Sequence, residues 1–425
     1  MDSSGLWSNR AYTRYWSARA VSQFGSALSV IAFPLLVLAL GGSATQAGAV
    51  ASCSLVTHTV LRLPAGHMAD RVNQRTLMIS MDVVRFVAVG SIPLAAATGW
   101  LSFPQLLVVA FVEGAASAAF GPASAVAFRD LVSKEQLTAA LSRGQATMAT
   151  VSMIGPVAGG ALFGVGRVLP FTVDAVSYLA STALFLTVPN WSGRPERRTG
   201  DGDRRVIAGV AWLWHQPVVM RVLLFCGLVN LVAAAAELAV LVGLRQHGDS
   251  GAVVGMVMAC AGVGGIVGSL ITERMMRALS AVALCTVTGL TWAAGSALFT
   301  SVASAWVIGA ALVVMMLFAP AAGVLLGQIT LGEAPGDILG RVTTAEQTVT
   351  VSLASVGPLL VGASLQGFGT ASTWSILAGI CVLSVLIVLT PVRSGRATPG
   401  ASDASDAPDN VPGSAEPEPA SDLAG

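Results

Sequence analysis

Charged residues are scarce in this chain, and so are aromatic residues. Only 11% of the 425 residues are charged and 6% are aromatic, whereas an average soluble domain carries about 25% charged residues. Hydrophobic residues make up 54% of the chain, and the mean hydropathy is +0.75. This composition excludes a disordered protein and an ordinary soluble enzyme. The net charge of +1 gives no overall field to attract a polyanion, so we expect no nucleic-acid partner.

Cysteine and lysine are also rare, and their positions exclude several kinds of site. None of the five cysteines forms a Cys-x-x-Cys pair, so we expect neither a metal site nor a redox site. The single lysine, Lys134, lacks the glycine-rich loop that binds nucleotide phosphates, which excludes an ATP-driven pump. No cofactor is predicted. A membrane serine protease would need a serine and a histidine at catalytic distance, but nothing in the sequence brings Ser296 and His58 together. We therefore expect no enzyme activity.

Long apolar runs and 46 glycines are what the chain has in abundance. A membrane-spanning helix needs about 20 predominantly apolar residues, and small residues allow such helices to pack closely. The sequence predicts an all-α integral membrane protein with twelve transmembrane helices in two six-helix halves. The predicted spans are 17–40, 47–66, 77–97, 104–125, 143–165, 168–188, 219–241, 252–272, 279–300, 304–328, 344–365 and 370–390.

Basic residues predict the orientation of these spans. Of the 23 lysines and arginines, only Arg167 and Arg245 fall on loops assigned to the outside, and basic residues favour the cytoplasmic side. We therefore expect a multi-pass protein of the cell membrane with both termini in the cytoplasm. The predicted divisions are a cytoplasmic segment at 1–16, a six-helix bundle at 17–188, a cytoplasmic linker with an interfacial helix at 189–218, a second bundle at 219–390 and a disordered tail at 391–425.

The two halves carry a weak internal repeat. Gly155-Pro156 lies in the fifth predicted span, and Gly357-Pro358 lies in the eleventh, about 200 residues later. Gly121-Pro122 and Ala319-Pro320 close the preceding spans in each half. Repeated six-helix halves around a shared site are an architecture of secondary transporters.

The loop between the second and third spans is short and dense in charge. It reads Gly66-His-Met-Ala-Asp70-Arg71-Val-Asn-Gln-Arg75. Asp70 can accept from backbone amides at a helix N-terminus, and Arg71 can pair with a carboxylate on a neighbouring helix end. Such contacts would hold one face of the protein shut. Alternatively, Arg71 and Arg75 only set the topology.

This loop resembles the G-x-x-x-D-R-x-G-R-R signature of the major facilitator superfamily, with Asn73 and Gln74 as departures. The resemblance covers residues 10–392 and is closest to the drug-exporter branch that contains macrolide and siderophore exporters. Ser22–Gly25, Arg129–Leu137 and Phe171–Tyr178 suggest that branch. The resemblance implies a monomer that exports a small amphipathic or apolar compound by proton antiport and alternating access, and so confers multidrug resistance. It also implies that Arg71 pairs with Asp130.

The stretch from Gly155 to Gly160 resembles the core of the antiporter signature on helix 5. The match is partial, because Val151 and Ser142 stand where family members have further glycines. Pro156 weakens the helix and the glycines admit a close partner helix. Gly155 and Pro156 are therefore predicted to form a pivot, with plain tight packing as the alternative.

Three acids at membrane depth are candidates for proton coupling, because burying an ionisable group in the bilayer is costly. Glu113 is the deepest and ranks first, Asp174 lies about six residues into the sixth span, and Glu237 lies near the outer end of the seventh. Each carboxyl could instead be structural. Arg62 and Arg85 are placed near inner helix ends, where their side chains can reach the interface.

Four aromatic residues are candidates to line an apolar substrate cavity, with packing as the alternative: Phe24, Phe33, Trp292 and Phe318. Relatives in the exporter branch often carry an acid on helix 1 where this chain has Ser26. The sequence leaves open an importer or facilitator of the same fold, and also a membrane receptor that moves no substrate. The predicted partners are a small-molecule substrate, protons and the lipid bilayer.

Overall fold

The structure is a computed structural model that describes residues 9–132, 136–188, 211–302, 304–335 and 338–390. Within these ranges, the side chains at positions 63, 66, 67, 69–71, 129, 138 and 340 lie outside the description. The predicted linker as far as residue 210 and the predicted tail at 391–425 are also outside it.

Long helices account for nearly all of the described chain. The first half contains α1 (Arg10–Ala39), α2 (Ala44–Arg71), α3 (Gln74–Thr98), α4 (Phe103–Leu131), α5 (Leu137–Val165) and α6 (Leu169–Thr187). The second half contains α7 (Pro217–Gln246), α8 (Gly251–Ala278), α9 (Ala281–Leu298) and α10, which is built from Ala305–Leu317 and Ala319–Glu333. The last helical stretch, Leu339–Leu389, carries α11 (339–368) and α12 (370–389).

Ten of the described helical stretches are long and apolar enough to cross a membrane. That number treats Arg341–Leu389 as one stretch and leaves out α2, which is rich in serine, threonine and other polar residues. The chain reverses within the long stretch at Gly369, whose φ of +78° suits glycine. With α11 and α12 separated and α2 included, the predicted twelve-helix all-α membrane fold is confirmed.

Five of the described helices begin after a residue whose side chain satisfies a free backbone amide. Asn9, Ser43, Asn73, Ser250 and Ser280 each accept a hydrogen bond from the backbone of the first helical turn, as N-cap residues do. Asn73 therefore has a structural purpose where the family signature has glycine, because it caps α3. We call the end of the bundle that bears Arg10 and Thr390 the proximal end, and the other the distal end.

The same polar link joins the first and last helix of each half. Arg14 on α1 donates to the carbonyl of Thr187 at the end of α6. In the second half, Arg221 on α7 donates to the carbonyl of Thr390 at the end of α12, at 2.6 Å. Both arginines satisfy carbonyls that a helix end leaves without a partner. The equivalence supports the predicted repeat at the level of contacts as well as sequence.

The two halves meet through glycines, where α5 packs against α8 and α2 packs against α11. A Cβ atom added at these glycines would lie too close to the backbone of the opposite half. Between α5 and α8, a Cβ atom at Gly160 would lie 2.2 Å from the Gly251 carbonyl oxygen, and one at Gly255 would lie 2.5 Å from the Pro156 carbonyl oxygen. Between α2 and α11, a Cβ atom at Gly48 would lie 2.3 Å from the Pro358 carbonyl oxygen, and one at Gly362 would lie 2.6 Å from the Ala44 carbonyl oxygen. These contacts lie towards the distal end, where the halves are closed against each other.

Candidate functional site

A cavity of about 170 Å³ lies where helices of the two halves meet, and we call it the deep cavity. Its walls come from α1, α2 and α4 of the first half and from α7 and α11 of the second. Most of the lining is apolar, including Ile31, Phe33 and Leu238. Two of the predicted acids line it from opposite halves, Glu113 from α4 and Glu237 from α7. Glu113 is half-buried and Glu237 is exposed to the cavity.

Glu113 and Glu237 lie at similar depths. Glu113 is ten residues from the distal end of α4, and Glu237 is nine residues from the distal end of α7. At about 1.5 Å per residue, both lie roughly 14–15 Å into their helices. The expectation that Glu237 lies near the outer end of its span is therefore wrong, because α7 continues to Gln246 instead of ending near residue 241.

Asp174 occupies a different environment, between α6 and α1. It is completely buried, and the Ser29 hydroxyl on α1 donates to its carboxylate at 2.5 Å. The Ser177 hydroxyl donates to the Asp174 carbonyl at 2.7 Å. Asp174 is thus held by hydrogen bonds within the first half, away from the lining of the deep cavity.

Gly25 permits this packing of α1 on α6. A Cβ atom at residue 25 would lie 2.0 Å from the Ser177 hydroxyl oxygen and 2.7 Å from a carboxylate oxygen of Asp174. We expect Gly25→Ala to lower the free energy of unfolding by about 1–3 kcal/mol, as overpacking does. Thermal unfolding of the purified protein measures this loss. Gly90→Ala is the matched control, since its Cβ would meet only Ala175 at an ordinary 3.7 Å. Equal melting temperatures for the two variants would contradict the tight fit at Gly25.

Asp82, which was not predicted from the sequence, forms a buried ion pair with Arg85. The Arg85 guanidinium lies 3.7 Å from the Asp82 carboxylate, and Ser181 donates to Asp82 at 2.6 Å. The guanidinium also lies over the rings of Phe120 and Tyr178, 5.2 and 5.5 Å from their centres. The signal in the sequence that could have predicted this pair is an acid and a base three residues apart in an apolar helix.

Arg85 does not reach the interface as the sequence suggested. It lies eleven residues into α3 and is 5% exposed, so that expectation is wrong. Its guanidinium interacts electrostatically with Asp82, Glu113 and Asp174, and His58 is also within range of its charge. The first half therefore places one buried guanidinium among three carboxyl groups.

The second half contains a further buried acid that was not predicted from the sequence. Glu346 on α11 is 6% exposed and accepts a hydrogen bond from the Thr330 hydroxyl on α10. The next residue, Gln347, accepts a hydrogen bond at 2.9 Å from Arg62 on α2. Arg62 thus joins the two halves instead of extending to the interface.

The residues predicted to control conformation are described only in part. The side chains of Gly66, Asp70 and Arg71 lie outside the described residues, so their predicted pairing with Asp130 remains a prediction. Asp130 is exposed near the proximal end of α4. Arg75 donates to the carbonyls of Phe185 and Leu186 at 3.1 and 2.7 Å, and so binds the end of α6 within the first half.

Gly155 and Pro156 contact different helices. A Cβ atom at Gly155 would lie 2.5 Å from the Cβ of Ala27 on α1. The carbonyl of Pro156 faces Gly255 on α8, across the boundary between the halves. Of the two, only Pro156 therefore meets the other half, and the pivot at Gly155 and Pro156 stays a prediction.

The four aromatic candidates lie in different environments. Phe33 lines the deep cavity and packs edge-on against Phe171, with ring centres 5.0 Å apart. Phe24 is half-buried, and Phe318 is half-buried at the break in α10. Trp292 is completely buried, so it has no surface facing a cavity in this conformation.

Comparisons with known proteins identify the family. The sequence model of the Major Facilitator Superfamily matches residues 15–354. The multidrug efflux pump Tap of Mycobacterium tuberculosis is 28% identical over 225 residues, which cover 50% of this chain and 52% of that protein. Tap of Mycolicibacterium fortuitum is 24% identical over 267 residues, which cover 60% and 64%. The chain thus spans about half the length of the first of these relatives.

Solved transporter structures share the fold. A nucleoside transporter, NupG, has a TM-score of 0.66 at 11% identity, covering 88% of this chain and 98% of that one. A bacterial homologue of the lysosomal transporter Spinster, in an inward-facing and unoccupied conformation, has a TM-score of 0.68 at 15% identity, covering 91% and 95%. The family match, the fold and the two-half architecture together show that this chain belongs to the Major Facilitator Superfamily of membrane transporters, whose substrates are small molecules.

Proposed function

We propose that the chain exports a small amphipathic or apolar compound by proton antiport and alternating access. The observation that carries the proposal is the deep cavity, where a carboxyl from each half faces an apolar space roughly 14–15 Å from the distal end of its helix. Two relatives are named multidrug efflux pumps, which favours export over import. The chain is proposed to act in the cell membrane as a monomer.

We propose further that the proximal end faces the cytoplasm, because the basic residues of the loops concentrate there. On this orientation the glycine contacts at the distal end close the protein to the outside. The conformation described is then inward-facing. The loop residues Asp70 and Arg71, with Asp130, would close the cytoplasmic end in the alternate state.

The buried charges support a proton-carrying role for the first half. Asp82, Glu113 and Asp174 share a single guanidinium, that of Arg85. Three ionised carboxylates in a medium of low dielectric would leave two negative charges without a partner, which is costly. Glu113 both belongs to this group and faces the deep cavity. It is therefore placed to exchange a proton with the cavity as the halves move.

The energetics allow useful export with one proton. A proton crossing a potential of 100 mV releases about 2.3 kcal/mol. At about 1.4 kcal/mol per tenfold, this supports roughly a fifty-fold gradient of a neutral compound.

Accumulation in intact cells tests the proposal. Cells that express the chain are compared with cells that lack it, using a panel of antibiotics, dyes and siderophores with and without a protonophore. We expect lower accumulation of at least one compound, restored by the protonophore. Lower accumulation that the protonophore does not affect would contradict proton antiport, and raised accumulation would favour an importer.

A further inference from the structure

A second cavity, of about 440 Å³, opens in the proximal part of the first half, and we call it the proximal cavity. Its lining comes from α1, α4 and α5. The volume lies within the range of small-molecule sites, about 300–1,000 Å³, whereas the deep cavity is smaller. Among the lining residues that the structure describes, Arg19 is the one ionised side chain and none carries a carboxyl group.

Two donors at this cavity have no hydrogen-bond partner in the described part of the chain. They are the hydroxyl of Tyr12, a residue only 1% exposed, and the Nε of Arg19. The contacts of Arg19 with Tyr15 are weak, at 3.5 Å to the Tyr15 hydroxyl and 5.9 Å to the centre of its ring. Buried polar atoms are almost always paired in proteins. Two unsatisfied donors beside one cavity indicate an acceptor that binds there.

The walls of the proximal cavity suit an aromatic ring system. Tyr12 and Phe128 pack edge-on with ring centres 6.4 Å apart. Trp16 is held in place because its indole nitrogen donates to the Thr147 hydroxyl at 3.1 Å, which joins α1 to α5. Uncharged polar groups complete the lining, from Gln23 and Gln145.

We propose that the proximal cavity binds an aromatic compound bearing an anionic group, with Arg19 pairing with the anion and the Tyr12 hydroxyl donating to it. This assignment rests on the proposed transport function and names the charge class of its substrate. The guanidinium favours an anion, and its planar donors suit carboxylate or sulfonate oxygens. A cationic compound would meet Arg19 with no carboxyl group among the described lining residues to offset the repulsion.

The position of the cavity makes it an entry site for the same substrate. Gln23 lines the proximal cavity, and Val30 lines the deep cavity two turns further along α1. At about 1.5 Å per residue these positions are roughly 10 Å apart along the helix. A compound bound in the proximal cavity therefore lies next to the deep cavity, which Glu113 and Glu237 line.

Binding to the purified full chain in lipid nanodiscs tests the assignment. The probes share one ring system and differ in charge: naphthalene-2-sulfonate, 2-naphthalenemethanol and naphthylmethylammonium. Equilibrium dialysis measures binding, with empty nanodiscs subtracted. We expect the sulfonate to bind tightest and the ammonium weakest. Arg19→Gln is expected to weaken sulfonate binding about tenfold, as loss of a charged hydrogen bond does, with little change for the alcohol.

Arg277→Gln is the matched control, because Arg277 is exposed and pairs with Glu273 on the same helix. It should leave all three affinities unchanged. Tyr12→Phe removes one hydroxyl and should weaken only sulfonate binding. This variant tests the proposed site even if Arg19→Gln fails to fold. The proposal is overturned if the ammonium binds as well as the sulfonate, or if both variants keep the wild-type preference. Dialysis requires no proton movement, so its outcome is independent of proton antiport.

Discussion

Replacing Glu113 by glutamine is expected to abolish proton-driven accumulation while leaving the protein folded. Glutamine keeps the size and hydrogen-bonding capacity of the side chain but cannot bind and release a proton. Glu113 faces the deep cavity and lies within the influence of Arg85 and Asp174. One proton supports a substrate concentration ratio of roughly fifty-fold across the membrane. In Glu113→Gln this ratio should fall to about one.

Everted membrane vesicles with an imposed pH gradient measure this effect. Glu273→Gln is the matched control, because that carboxyl is exposed on α8 and should be dispensable. Exchange of labelled for unlabelled substrate, which needs no net proton movement, should survive in Glu113→Gln and shows that the variant is folded. Normal accumulation in Glu113→Gln would remove this residue from the coupling mechanism. Glu237→Gln would then be the next variant to measure.

Replacing Gly160 by alanine should have a comparably large effect through the contact between the halves. The added Cβ would lie 2.2 Å from the Gly251 carbonyl oxygen and 3.0 Å from the Gly255 Cα on α8. Because both neighbours are backbone atoms, the helices must separate at the distal end. Overpacking of this kind costs about 1–3 kcal/mol, which shifts an equilibrium between two conformations by about 5- to 150-fold.

Gly164→Ala is the control for this variant, since it lies one turn along the same helix and its Cβ would meet no atom within 4 Å. We expect slow transport by Gly160→Ala and normal transport by Gly164→Ala. A cysteine introduced at Ala234, in the deep cavity, should react faster with an impermeant thiol reagent from the distal side in Gly160→Ala. Equal transport and equal labelling in the two variants would refute a closing contact at Gly160.

Much of the fold could be predicted because membrane helices are long and uniformly apolar. The positions of the spans followed from that pattern, whereas the repeat was indicated by the Gly-Pro pairs at 155 and 357 and the family by the charged loop at 66–75. The helix ends were less predictable, because polar residues such as Arg10 and Gln246 continue a helix beyond its apolar part. That difference misplaced Glu237, since depth was judged from the apolar run alone.

The candidate site was less predictable than the fold, because cavities depend on how each helix is rotated. Glu113 and Glu237 were identified singly, but their shared cavity depends on how α4 and α7 are rotated towards the same space, which no local pattern encodes. Asp82 was missed although its spacing to Arg85 was visible. Tyr12 lies in the first turn of α1 and Arg19 lies nine residues from its start, in a stretch with several other aromatic and basic residues, so nothing in the sequence distinguished them.

Proton movement driven by substrate tests the central claim most directly. Purified protein is reconstituted in liposomes that contain a pH-sensitive dye, with no imposed pH gradient, and a gradient of a compound identified in the accumulation assay is applied. Antiport predicts that protons move against the direction of substrate flow, and that Glu113→Gln abolishes this movement. Protons moving with the substrate, or substrate flux without any proton movement, would contradict the account.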